Sequence, residues 1–198
     1  MKSNLFRLKL LLAIVVVLLV SFYRLDFALP AKAQDPLPYK AYLPIIFHHQ
    51  PCLANAQAEE IAQKMKDDPR QERASMTCND ILAQVAQARA EDMAQRNYFG
   101  HTTPEGYGPN YLVRQAGYVL PSYYGSADDA NNIESIAAGY STANQAWTKW
   151  MESQPHREHL LGLHSFYADQ IEYGIGYVYN PDSQYRHYWV VFTAKPGP

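Results

Sequence analysis

Apolar positions trace a succession of helices and then a change of period. Leu53, Ala56, Glu60, Ile61, Lys64 and Met65 form a weak helical face that begins near Cys52. Asp67-Asp68-Pro69 interrupts it, because a proline disfavours the helical region for its predecessor. A stronger face follows, with Leu82, Val85, Ala86, Arg89, Ala90 and Met93 at helical spacing. Thr77 or Asn79 is its expected cap, and Asp80 complements its positive end. A third helix is expected over Ser141–Met151, with Ser141 as N-cap and Ala143, Ala146, Trp147, Trp150 and Met151 on its core face. The period then shortens: YGIGYVY (Tyr173–Tyr179) and YRHYWVVF (Tyr185–Phe192), separated by the turn-rich NPDSQ, read as two strands of a hairpin. Helices first and an antiparallel ribbon last define an α+β class.

The N-terminus has a different character. Lys2, Arg7 and Lys9 precede an unbroken apolar run, Leu10–Val20, and Ala31-Lys32-Ala33 offers a small-residue cleavage site. Residues 1–33 therefore read as a secretory signal peptide or, if uncut, an N-terminal anchor, which would be the chain's one contact with a membrane. Residues 34–51 hold four prolines and read as a linker, in which His48 and His49 are solvated. Residues 52–198 are the expected folded domain of an exported, secreted or cell-surface protein. In an oxidising compartment the only cysteines, Cys52 and Cys78, are candidates for one disulfide, with free thiols as the alternative.

Composition excludes one class of partner. A formal net charge of −2 with 18% charged residues gives no extended basic face, so nucleic acid binding is not expected. The 198 residues, 47% of them hydrophobic, suffice for one packed domain and an appendage.

Candidate chemistry lies in GHTTPEG around His101, NIESIAAGYS around Glu134, and WMESQPHREHLLG around Glu152 and His156. In each, an acid or imidazole sits beside a glycine, a proline or a helix boundary, where a side chain can project into a cleft. In NYFGHTTPEG the helix is expected to end at Asn97–Phe99, with the aromatics pinning a turn, Gly100 swinging His101 over a groove, and Pro104 and Gly106 forming the bend. His156 and His159 share one helical face, but without the H-E-x-x-H order of a metalloprotease, so His159 is expected to be structural. A Ser135 or Ser153 nucleophile beside His156 lacks an identifiable helper group, and there is no G-x-S-x-G elbow.

The segments RAEDMAQRNYFGHTTPEG, ESIAAGYSTANQAWTKWMESQPHREHLLG and YGIGY with YWVVFTA, in that order, resemble the CAP superfamily of cysteine-rich secretory, antigen 5 and pathogenesis-related proteins in its compact bacterial form. The resemblance covers about Leu53 to Pro196. It implies an α-β-α sandwich with a small antiparallel sheet between helical layers, and a cleft lined by His101, Glu134, Glu152 and His156. His101 and His156 would bind a divalent metal such as zinc, while Glu134 would accept a hydrogen bond from an imidazole or a bound water. The implied partner is an extracellular lipid, glycan or protein. The rival expectation is a secreted hydrolase, a peptidase or wall-directed enzyme, with Glu134 or Glu152 as candidate catalytic base. Two positions depart from the family pattern: Ser135 replaces the asparagine after the glutamate, and HREHLL puts His159 where an asparagine is usual. Glu152 lies one position short of the spacing in longer relatives.

Overall fold

The computed structural model describes residues 52–197. The leader, the linker and His48 and His49 lie outside them. Among the described residues no helix is long and apolar enough to cross a membrane.

Helix α1 spans Ala56–Asp67 and is capped by Asn55, whose side chain accepts from the Ala58 N–H. The two-residue strand β1, Thr77–Cys78, leads into α2, Asp80–Gln95, where Asn79 Oδ1 accepts from the N–H groups of Ile81 and Leu82. Helix α3 (Pro109–Gln115) and strand β2 (Glu134–Ala138) follow. Next come α4 (Ala143–Glu152), α5 (Gln154–Leu161), the single turn α6 (Ser165–Ala168), and strands β3 (Glu172–Tyr179) and β4 (His187–Ala194). The cap of α4 is Thr142, which accepts from Gln145 N, and not Ser141; the Ser141 hydroxyl is turned aside to Gln145 Oε1.

The sheet has four strands in the order β1-β3-β4-β2. It is mixed, which corrects the antiparallel expectation: β3 pairs antiparallel with β4 and β4 with β2, but β1 runs parallel to β3. The parallel strand is so short that no hydrophobic alternation announces it.

Strand alternation feeds two cores. On one face, Tyr173, Ile175, Trp189, Val191 and Ala137 pack with Ile61 and Met65 of α1, Trp147 and Trp150 of α4, and Leu160 and Leu161 of α5. The indole N–H groups of Trp150 and Trp189 find main-chain acceptors, Ile136 O and Tyr140 O. On the other face α2 lies against β3, and the glycines of YGIGY explain how closely. A Cβ at Gly174 would enter the backbone of Leu82 and Ala83, and one at Gly176 the backbone of Ala86 and Gln87. Helices on both faces complete the α-β-α sandwich. Gly176→Ala is expected to lower stability by about 1–3 kcal/mol, because the clash is with main chain that no rotamer relieves. An unchanged urea midpoint would contradict this account of the motif.

Cys52 and Cys78 are joined in a disulfide with their Cα atoms 6.0 Å apart. The bridge ties the segment before α1 to β1.

Candidate functional site

The site is built where β2 begins. Adjacent strand residues face opposite ways, so Glu134 points to the α2 side and Ser135 to the α5 side. Asn110, itself fully buried, fixes the approach to the strand by donating to Asn132 Oδ1 (2.7 Å) and accepting from Asn132 N (3.0 Å). A pocket of roughly 150 Å³ opens there, and its walls include His101, Asn131, Glu134, Ser135, His156 and Tyr167.

His101 reaches the pocket from the turn after α2. Asn97 adopts the left-handed conformation (φ 57°), and Gly106 closes the bend with φ 90° and an N–H bond to Thr103 O (2.8 Å). Gly100 precedes the ring without adopting a positive φ, and its carbonyl accepts from Arg89 Nη2. Of the aromatic pair, Tyr98 is held by Arg89 and Asp92, whereas Phe99 is 41% exposed and packs on Tyr185.

Glu134 has no solvent contact through its side chain. Its Oε2 lies 2.7 Å from His101 Nδ1, and its Oε1 lies 3.3 Å from Arg89 Nε. The second contact is an ion pair whose angle falls outside a directed hydrogen bond. Arg89, fully buried on the core face of α2, therefore supplies the countercharge that a carboxylate removed from water requires. A carboxylate accepting from Nδ1–H leaves the His101 Nε2 lone pair free.

His156 projects from α5. Burial first, and the His101 charge second, push its pKa below the ordinary imidazole value. His159, one turn later, is buried behind the pocket, with Nδ1 2.7 Å from Ser135 Oγ and Nε2 2.7 Å from Thr193 Oγ1. The direction of this chain is fixed from its far end. Gln170 Nε2 donates to Asn132 O (2.8 Å), so Gln170 Oε1 is the acceptor that takes the Thr193 hydroxyl proton (2.7 Å). Thr193 Oγ1 then accepts from His159 Nε2–H, and Nδ1 accepts from the Ser135 hydroxyl. The two departures from the family pattern thus hydrogen-bond to each other. Burial, with Arg73 next in weight, holds His159 well below its ordinary pKa and hence neutral.

Glu152 does not join the other three. It sits at the exposed end of α4, 58% accessible and 2.6 Å from Lys149 Nζ. The stripe that buries Trp147 and Trp150 turns position 152 to solvent. Asn131, Thr193 and Gln170 stand in no motif that marks them as site residues, and Arg89 is marked only as a cation on an otherwise apolar helix face.

A mixed sheet sandwiched by helices is a fold this chain shares with solved extracellular and outer-surface proteins. The chain belongs to the CAP, cysteine-rich secretory protein family, whose family model matches residues 69–192. It is 29% identical over 100 residues to the uncharacterized protein YkwD of Bacillus subtilis (strain 168), a match that covers 50% of this chain and 34% of YkwD. The chain thus spans about a third of the length of that curated relative. Among solved structures, the fold matches an extracellular protein containing a SCP domain from Bacillus anthracis str. Ames (TM-score 0.52, 22% identity, 70% of this chain and 40% of that one). It also matches an outer surface protein from Borrelia burgdorferi (TM-score 0.51, 21% identity, 70% of this chain and 89% of that one).

Proposed function

We propose that this is an exported binding module whose pocket takes a divalent cation, zinc being the model ion, and presents it to an extracellular lipid, glycan or protein ligand. One observation carries the reading: of the three imidazoles that line a single small polar pocket, His159 is tied to Ser135 and Thr193, which leaves His101 and His156 beside a lone carboxylate held by His101 and Arg89. His101 Nε2 and the His156 ring are the donors that would hold the ion. Among the described residues no three His, Cys, Asp or Glu converge as a metal cluster, so with two histidine donors a four-coordinate ion would leave two positions for water and ligand. Bound there, it would supply an electrophilic centre. Glu134, as partner of His101, is the group that orients the ring.

The hydrolase alternative is less well supported. Glu134 is closed off from solvent and paired with Arg89 and His101, and Glu152 lies elsewhere. Ser135 and His159 are bonded, but both are buried and no carboxylate stands behind the imidazole. Export is supported by the Cys52–Cys78 bridge, by the basic-apolar leader and by the outer-surface and extracellular proteins that share the fold.

Isothermal titration with zinc tests the proposal. His101→Ala and His156→Ala should each weaken binding at least about tenfold, and affinity should fall as the imidazoles protonate. Wild-type heats left unchanged by both substitutions would remove the cation pocket.

A further inference from the structure

We propose that Arg89 is the positioning residue that sets which tautomer of His101 faces the pocket, by deciding a competition between Glu134 and Asn131 for the same ring nitrogen. The inference deepens the binding reading, but its test is made on the free protein without cation.

Two groups address His101 Nδ1. Glu134 Oε2 stands 2.7 Å away and can only accept, so this contact requires Nδ1–H. Asn131 Nδ2 stands 3.0 Å away and can only donate, so it requires a lone pair on Nδ1. Reversing the Asn131 amide does not resolve the conflict, since Asn131 Oδ1 already accepts from Glu134 N (2.9 Å) and Ile133 N (3.2 Å). One imidazole nitrogen cannot satisfy both.

The charge-assisted contact wins as long as the carboxylate is held against the ring. Arg89 holds it. Its Nε pairs with Glu134 Oε1 at 3.3 Å, while its Nη2 bonds the carbonyl of Gly100, the residue before His101. Its Nη1 bonds the Tyr98 hydroxyl, and Asp92 at 3.7 Å adds a second anion that keeps the guanidinium in place. A single fully buried cation thus grips both the carboxylate and the turn that carries the ring.

The consequence is the polarity of the pocket. With Arg89 in place, His101 presents an Nε2 lone pair, suited to a cation or a hydroxyl donor. With the carboxylate released, Asn131 captures Nδ1 and the ring presents Nε2–H, suited to an anion or a carbonyl.

Long-range 1H–15N correlation spectra of 15N-histidine-labelled protein, recorded at a pH where the imidazoles are neutral, read the tautomer directly, with His101→Gln to assign the signals. Wild type should show Nδ1 of the protonated type and Nε2 of the unprotonated type. Glu134→Gln and Arg89→Met should move His101 mostly to the opposite form, and adding Asn131→Ala to Arg89→Met should return it to the mixture of a free imidazole. Arg89→Lys should show a partial shift, since one ammonium cannot reach both Glu134 and Gly100; it decides the matter if Arg89→Met does not fold. A wild-type protein with Nε2–H, or a folded Arg89 variant with the wild-type tautomer, would overturn the proposal. A failed zinc titration with the expected tautomers would instead remove only the cation reading.

Discussion

Arg73→Met is expected to lower unfolding stability by about 3–5 kcal/mol, since it removes three charge-assisted hydrogen bonds to carbonyls at once. Arg73 is 6% exposed and lies in a stretch with no regular structure between α1 and β1. Its Nη2 donates to His159 O (2.6 Å), its Nη1 to Leu160 O (3.0 Å) and its Nε to Tyr167 O (3.0 Å). The first two acceptors are among the last four carbonyls of α5, which have no intrahelical partner, and a cation suits the negative end of a helix. Gly162 finishes the cap with φ 67°, and a Cβ there would lie 3.1 Å from the Arg73 side chain. Arginine is needed for its fork: the three acceptors are spread over two segments, and a lysine reaches only part of the set. Desolvation draws the guanidinium pKa down to about 10, which leaves it cationic at neutral pH. Urea unfolding of wild type, Arg73→Lys and Arg73→Met should give stabilities in that order. A Met variant within about 1 kcal/mol of wild type would show that water replaces the fork. Because α5 also carries His156 and His159, loss of its last turn should loosen the pocket wall as well.

Much of this molecule is legible in the sequence alone. The α2 face, the tryptophans of α4 and the hairpin of β3 and β4 declare themselves through local periodicity, which reports burial on an element's own face. His101, Glu134 and His156 declare themselves through ordered motifs at element boundaries. What stays illegible depends on contacts distant in sequence. The parallel pairing of Thr77–Cys78 with Glu172–Tyr173 is too short to leave a pattern. Arg73 sits in QERASMT, polar and aperiodic, and only the fold brings it to the end of α5. Glu152 is suggested by its proximity to Trp150, but the helical rotation that buries the indole exposes the acid. Ser135 and His159 read as two unrelated departures, 24 residues apart, until alternation along β2 turns the serine toward α5.

That pair carries the other large expected effect, a loss of stability in mild acid. The folded-state pKa of His159 lies well below the ordinary value of 6.5, with burial the main cause and the charges of Arg73, His156 and His101 adding to it. A base whose folded pKa is depressed is harder to protonate in the native state than in the unfolded chain. Its contribution is therefore complete above pH 6.5 and is withdrawn as pH falls below it, by up to about 1.4 kcal/mol per pH unit for each such histidine. His156 shifts the same way and steepens the decline. Carboxylates act lower on the scale: Glu105, drawn down to about 2 by Arg96, gives up its contribution only as pH falls below its ordinary value of 4.5. Urea unfolding between pH 7.5 and 5 thus isolates the imidazoles. His159→Asn removes the titrating ring, so its stability should decline less steeply than wild type over that range. At pH 7.5 it should be the less stable of the two, because the serine and threonine hydroxyls lose a bridging partner. Adding Ser135→Asn should recover part of that loss through an amide–amide contact, with a coupling of about 0.5–3 kcal/mol between the positions. Parallel pH profiles for wild type and His159→Asn would mean that the buried imidazole already carries its proton, and the direction assigned between Ser135 and His159 would have to be reversed, with Nδ1–H donating to the hydroxyl.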